Sequence, residues 1–216
     1  MTPACQPVSL SPRTASGARL QHVSGPGTAE LGGIVLTGGS AARFQGADKA
    51  SMEIAGVTLL EHVLGALAEV PEVVVVGDQV ITSRAVGFVR EDPPGGGPAA
   101  GLLAGLAGFP RLPRLVAVLA VDMPLVTTST VARLLLSAEG DGALLVDEDG
   151  RRQYLCAIYR TEALMDAAPP LEQQHGLPMR QLVSGLRLAE VPALAWEARD
   201  VDTWQDLTDL RERLGG

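Results

Sequence analysis

Aromatic side chains make up only 3% of the 216 residues, so function here does not rest on an aromatic stacking surface. The 46% hydrophobic content is instead carried mainly by Ala, Val and Leu, which argues for tight packing of helices on a sheet. Cysteine is scarce as well: Cys5 and Cys156 have no metal-ligand spacing and define no disulfide framework. Three scattered histidines, His22, His62 and His175, make no cluster. Basic residues are outnumbered 17 to 25, and the resulting net charge of −8 disfavours nonspecific nucleic-acid binding. Long apolar runs are missing too. The N-terminal stretch has no continuous hydrophobic region of a signal peptide, and no later run is long enough to span a bilayer. These absences lead us to expect a cytoplasmic protein that binds neither nucleic acid nor membrane.

Residues 1–30 are rich in Ser, Pro, Gly, Thr and Ala without periodicity, and read as a disordered N-terminal tail. Residues 31–216 read as a single domain, large enough to bury a full core. Within it, strands and helices alternate. Apolar strands are expected at 32–37, 73–76, 86–90, 115–121, 143–146 and 153–159. Helices are expected at 58–69, from Pro98 onward, and at 128–137, 161–167, 178–185 and 203–214. The rhythm implies an α/β fold: a mostly parallel sheet flanked by helices on both faces, Rossmann-like. Asp149-Gly150 is a turn signal that predicts one small antiparallel insertion.

The most informative segment is Leu36-Thr37-Gly38-Gly39-Ser40-Ala41-Ala42-Arg43-Phe44-Gln45-Gly46-Ala47-Asp48-Lys49. It follows the apolar run Gly33-Ile34-Val35-Leu36, a buried strand by pattern. A Gly-rich turn there lets backbone N–H groups approach a phosphate chain, and Arg43 and Lys49 add fixed positive charge. It is not a Walker A loop, because no Gly-Lys-Ser/Thr follows a four-residue gap. Nor does it carry the Gly-x-Gly-x-x-Gly of dinucleotide sites. Asp92, the Gly97-Pro98 pair and Asp122 each follow a predicted strand, so they converge with the Gly38 loop on the carboxyl edge of the sheet, where ligands of such folds bind.

The pattern Gly-Gly-x-x-x-Arg-x-x-Gly-x-Asp-Lys after the first strand resembles the signature loop of the nucleotidyltransferases that activate a phosphorylated acceptor with an NTP. Within that superfamily the chain is most similar to the molybdenum cofactor guanylyltransferases, which join GMP to molybdopterin. The similarity continues through Asp92, Gly97-Pro98-Ala99-Ala100-Gly101-Leu102, Val121-Asp122-Met123-Pro124 and Asp200-Val201-Asp202-Thr203, and so spans roughly residues 32–214. Several positions depart from the family pattern: Thr37 stands where Ala is usual, Phe44 where Met is common, Val76 where an Asn can contact nucleotide and Ala99 where Leu is usual, and Ala120-Val121-Asp122 lacks the Pro-Cys often found before the metal acid.

The resemblance implies Mg²⁺-dependent transfer of GMP from GTP to the terminal phosphate of molybdopterin or its molybdenum-loaded form, with a handover from molybdenum-insertion proteins. Such chemistry needs in-line geometry and neutralised phosphate charge. Asp122 is the expected Mg²⁺ ligand, a cation that favours phosphate oxygens, one or two carboxylates and retained waters. Lys49 is expected on the transition state and leaving group, and Arg43 on the β- and γ-phosphates. Nucleotide contacts are expected from Leu36, Thr37, Gly38, Gly39, Gly97 and Pro98. Asp92 matches the acid that reads guanine in the resembled family, since one carboxylate accepts both guanine N–H donors. Asp202 is a candidate for the pterin or a second metal, although Thr203 and Asp206 also resemble a helix capping box. Transfer of CMP, another acceptor such as a sugar phosphate or a phospholactate, and a catalytically silent nucleotide-binding module remain the alternative readings.

Overall fold

The structure is a computed structural model that describes residues 30–38 and 49–214. All of the predicted N-terminal tail but Glu30, together with Gly39 and Arg43, lies outside the described residues. The chain opens with β1 (Leu31–Leu36), and a 3₁₀ turn at Lys49–Ser51 leads to the short hairpin β2 (Glu53–Ile54) and β3 (Val57–Thr58). There follow α1 (Leu59–Ala66), β4 (Glu72–Val76), β5 (Gly87–Val89), α2 (Gly97–Ala107), β6 (Leu115–Ala120) and α3 (Thr128–Ser137). The last third comprises β7 (Gly142–Val146), β8 (Arg152–Arg160), α4 (Thr161–Ala167), α5 (Met179–Leu182), β9 (Leu188–Pro192) and α6 (Trp204–Leu214).

Five strands form a sheet in the order β5-β4-β1-β6-β8, parallel except for β8. The parallel pair β7-β9 extends it, since Arg160 N–H donates to the Asp141 carbonyl and Asp147 N–H to the Arg151 carbonyl at the two ends of the β7–β8 hairpin. The Asp149-Gly150 turn therefore does introduce the antiparallel strand. That strand lies inside the main sheet, between β6 and β7, and not on a separate lobe.

Alternate residues of the central strands face opposite layers. Val35, Val73 and Val75 pack with residues of α1, α3 and α6; Ile34, Leu36, Val74 and Val76 pack with residues of α2, α4 and α5. A strand buried on both faces must be apolar throughout, which is why Glu72-Val73-Val74-Val75-Val76 carries no alternation after its first residue. Close helix–sheet approach needs small residues. A Cβ on Gly105 would stand 2.9 Å from Ile34 Cγ2 and 3.0 Å from Val76 Cγ2, so α2 lies as near the sheet as a glycine allows.

Caps set the helix boundaries. Thr58 accepts from Glu61 N–H at the start of α1, and Thr127 with Thr130 forms a reciprocal capping box at the start of α3. Two elements escape the sequence pattern. The β2–β3 hairpin is only two residues per strand, and β9 reads as loop because Glu190 and Pro192 interrupt its apolar residues, a composition that an edge strand tolerates. Among the described residues no helix is long and apolar enough to cross a membrane.

Cys156 is fully buried, and burial pushes its thiol up to about 12. The reactive species is the thiolate, so Cys156 should not react with a disulfide reagent at pH 8. In a Cys5→Ser background, no thiol should be titrated until denaturant is added. Rapid reaction of the native protein would contradict the burial.

Candidate active site

β1 sits between β4 and β6, with Leu36 paired to Val76 on one side and Ala120 on the other. The order in which strands are added reverses at this point, and because the three strands are parallel the loops after β1, β4 and β6 open on one shared edge. The backbone beyond the strands stays locked. Thr37 N–H donates to the Val76 carbonyl at 3.1 Å, and Val121 N–H donates to the Leu36 carbonyl at 3.0 Å.

Two groups of residues stand at that edge. The first surrounds Lys49, which is only 8% exposed. A lysine so buried requires partners, and its Nζ lies 3.1 Å from Asp202 Oδ1 and 3.3 Å from Asp122 Oδ2. Asp122 follows β6, and Asp202 precedes α6. Their loops are tied together by Val201 N–H donating to the Asp122 carbonyl at 2.8 Å. Asp200 lies close by. Desolvation, reinforced by the like charges of Asp122 and Asp202, pushes its carboxyl up to about 6 against the pull of Lys49. The capping box is also real: Thr203 and Asp206 bond reciprocally, with Asp206 N–H donating to Thr203 Oγ1 and Thr203 N–H to Asp206 Oδ2. Thr203 thus serves the helix, leaving Asp202 to reach Lys49.

Among the described residues no three His, Cys, Asp or Glu side chains form a ready metal cluster. The Asp122 and Asp202 carboxylates offer hard oxygen donors facing one cation, Lys49. That set fits a Mg²⁺ completed by phosphate oxygens and water, and it does not fit a soft, thiolate-seeking metal.

The second group lines a cleft of about 460 Å³ between the β1 and β4 ends and the start of α2: Leu36, Gly38, Val76, Glu91, Gly97 and Pro98, with Gly95 and Gly101. Four of the expected nucleotide contacts, Leu36, Gly38, Gly97 and Pro98, therefore share one cleft. Thr37 does not offer its hydroxyl to it, because Oγ1 donates to the Val76 carbonyl at 2.9 Å. Asp92 does not line it either. It borders a neighbouring groove of about 420 Å³ against α2, with Pro93, Ala100 and His175. The carboxylate at the cleft is Glu91, whose Oε1 accepts from Gly95 N–H at 3.2 Å. By sequence Glu91 reads only as the opening of a turn, and nothing in the order Glu91-Asp92-Pro93 tells which acid faces the cleft. His62 is structural, bonded through Nε2 to the Ile54 carbonyl at 3.2 Å.

Comparison with known proteins shows the family and the fold. The family model described as the MobA-like NTP transferase domain matches residues 33–191. A Mycobacterium tuberculosis protein named probable molybdenum cofactor guanylyltransferase is 37% identical over 144 residues, covering 63% of this chain and 71% of that protein. Among solved structures, molybdopterin-guanine dinucleotide biosynthesis protein A from Archaeoglobus fulgidus superposes with a TM-score of 0.65 at 24% identity, covering 85% of this chain and 98% of that one. The 2-C-methyl-D-erythritol 4-phosphate cytidylyltransferase from Thermus thermophilus superposes with a TM-score of 0.63 at 23% identity, covering 85% and 98%. These two likenesses show the fold.

Proposed function

Because the chain belongs to the MobA-like NTP transferase family and is thus a nucleotidyltransferase, we propose that it transfers GMP from GTP to the terminal phosphate of molybdopterin, with Mg²⁺ as the metal. The observation that carries this reading is Lys49 held between Asp122 and Asp202 at the sheet edge beside the cleft. The choice of guanine and of a pterin acceptor is supported by the printed name of the 37% identical relative.

In the proposed reaction an oxygen of the acceptor phosphate attacks the α-phosphorus of GTP. The bond from that phosphorus to the β-phosphate oxygen breaks, and pyrophosphate leaves with the bonding electrons. The base lies in the cleft, where Glu91 and the Gly97–Pro98 helix start present acceptor and donor groups. Lys49 Nζ carries its charge to the phosphates as they enter, and Arg43 adds a second cation on the β- and γ-phosphates. Asp122 and Asp202 would hold Mg²⁺, which when bound neutralises phosphate oxygens. The two acids also keep the ammonium group in place before substrate arrives, so little reorganisation accompanies the reaction.

Ligand-induced stabilisation separates the base choices, because a ligand that binds only the native state raises its stability by mass action. At matched concentrations, Mg²⁺-GTP should raise Tm more than Mg²⁺-CTP, and GTP without Mg²⁺ should raise it less. A larger shift with CTP would move the protein to cytidylyl transfer. No shift with either nucleotide would overturn the catalytic reading.

A further inference from the structure

The seam between α2 and α4 carries a surface that the Lys49 cluster does not use. Two cavities meet along it, of about 420 and 520 Å³, and Met165 of α4 lines both. The smaller is the groove beside Asp92, which follows Ala100, Leu103, Ala104 and Ala107 of α2. The larger lies past the end of α2, lined by Leu112, Arg114, Arg160 and Thr161.

This seam has the composition of a covered surface. None of the 11 residues of α2 is polar, although a helix with one side in water ordinarily carries polar side chains there. Yet Ala107 is exposed and Ala104 only half-buried. Three large apolar side chains also stand in solvent: Leu112 is 47% exposed, Met165 48% and Leu171 70%. Met165 shares one cavity with Leu112 and the other with Leu171, so the three form a continuous strip. Apolar side chains grouped in this way mark an interaction surface. Thr161 adds a buried hydroxyl that has no hydrogen-bond partner among the described residues, a costly group in a finished surface.

Charge decides what covers the strip. The end near the start of α2 is acidic, because Glu91 and Asp92 border the groove there beside His175. The end past the last residue of α2 is basic. Arg114 and Arg160 line the cavity and Arg111 is exposed on the same loop, against two acids, Glu162 and Glu30. Glu30 pairs with Arg114 at 3.1 Å, but both side chains are exposed, and such a pair is weak. Arg160 gives one N–H to the Gly140 carbonyl and keeps further donors. At 1.5 Å per residue, α2 sets about 16 Å between the two ends.

A surface with an acidic end, an apolar middle and a basic end is complementary to itself. Turned about a two-fold axis, the acidic end of one copy meets the basic end of the other, twice, while the apolar strips face each other. A partner of uniform charge would match one end and be repelled at the other. We infer that this seam is the contact of a two-fold symmetric homodimer, with Met165 near the axis. The contact does not depend on the proposed transfer, but it adjoins that site. Glu91 borders both the groove and the nucleotide cleft, so the basic end of the second copy lies against the cleft wall.

Sedimentation velocity of the full chain should show a weight-average mass that climbs with concentration from 22.4 kDa towards twice that value. Arg111→Glu/Arg114→Glu and Glu91→Lys/Asp92→Lys should each stay monomeric, because each sets like charges against one another at both ends. An equimolar mixture of the two should restore the dimer, since every altered end then meets an opposite one. Circular dichroism checks that each variant is folded. Met165→Asp, which places a charge near the axis, should also be monomeric and decides the matter if either charge variant unfolds. A monomeric unaltered chain overturns the assignment, as does a dimer that survives Met165→Asp. Folded, monomeric charge variants that fail to associate when mixed overturn the two-fold pairing.

Discussion

Lys49→Ala is expected to lower kcat for nucleotidyl transfer by about 10²–10³-fold, the typical cost of deleting one preorganised charge from a reacting centre, or roughly 3–4 kcal/mol of barrier. The physical reason lies in how the lysine is held. Nζ stands 3.1 Å from Asp202 and 3.3 Å from Asp122, and the side chain is almost entirely removed from solvent. Its charge is thus oriented before substrate arrives, at the edge where phosphates would enter. The fold should survive its loss: the carboxylates of Asp122 and Asp202 are 28% and 45% exposed, and water can solvate them once the ammonium is gone. Single-turnover assays of the variant, beside a thermal melt, check both halves. A variant that keeps more than a tenth of the normal rate would remove Lys49 from the mechanism. Asp122→Ala should fall at least as far, because it takes away the carboxylate proposed to hold Mg²⁺ as well as one anchor of Lys49. If Lys49 and Asp122 act as a unit, the double variant should lose little more than the worse single one.

Gly142→Ala is expected to destabilise the protein by about 3–5 kcal/mol, which is exceptional for adding one methyl group. Gly142 begins β7 with φ at 147°, a conformation that L side chains rarely adopt. A Cβ there would also stand 2.1 Å from the Ile158 carbonyl oxygen, which belongs to the backbone of β8 and has no rotamer by which to escape. The strand would have to leave the sheet, and β9, which pairs with β7 from Leu188 to Pro192, would leave with it. For a chain of this size each kcal/mol corresponds to roughly 2–4 °C, so Tm should fall by about 10 °C. Gly150→Ala is the control. Gly150 also has positive φ, at 76°, but a Cβ there would meet nothing within 4 Å. Backbone strain alone should then cost about 1 kcal/mol. Equal losses for the two variants would show that the β7–β8 contact does not matter.

The order of the main elements was legible along the chain because the central strands are apolar runs and helices such as α1 and α3 begin at a capping threonine. The valines of β4 are buried on both faces, so their run has one reading. Thr127 and Thr130 mark the start of α3 by capping its own N–H groups. The α/β class and the antiparallel strand after Asp149-Gly150 follow from such local chemistry. The residues Lys49, Asp122 and Asp202 were each visible as candidates, but their meeting was not. Asp122 and Asp202 are separated from Lys49 by 73 and 153 positions, and only the sheet order brings the ends of β1 and β6 and the start of α6 together.

Side-chain direction was the part that local sequence could not set. Glu91 and Asp92 are adjacent acids before Pro93, yet only the first lines the cleft beside Gly97, while both border the neighbouring groove. Thr37 could have faced a base, yet the parallel pairing of β1 with β4 brings the Val76 carbonyl within 2.9 Å of its hydroxyl. Likewise, Trp196 stands in a stretch with no strand or helix pattern, and only the tie of Glu197 to α3 fixes where that stretch lies. Sequence determined which groups this protein possesses and the elements that carry them, since those depend on nearest neighbours. Tertiary structure decided which groups meet, because distances across a sheet depend on strand order and register, and no local signal encodes either.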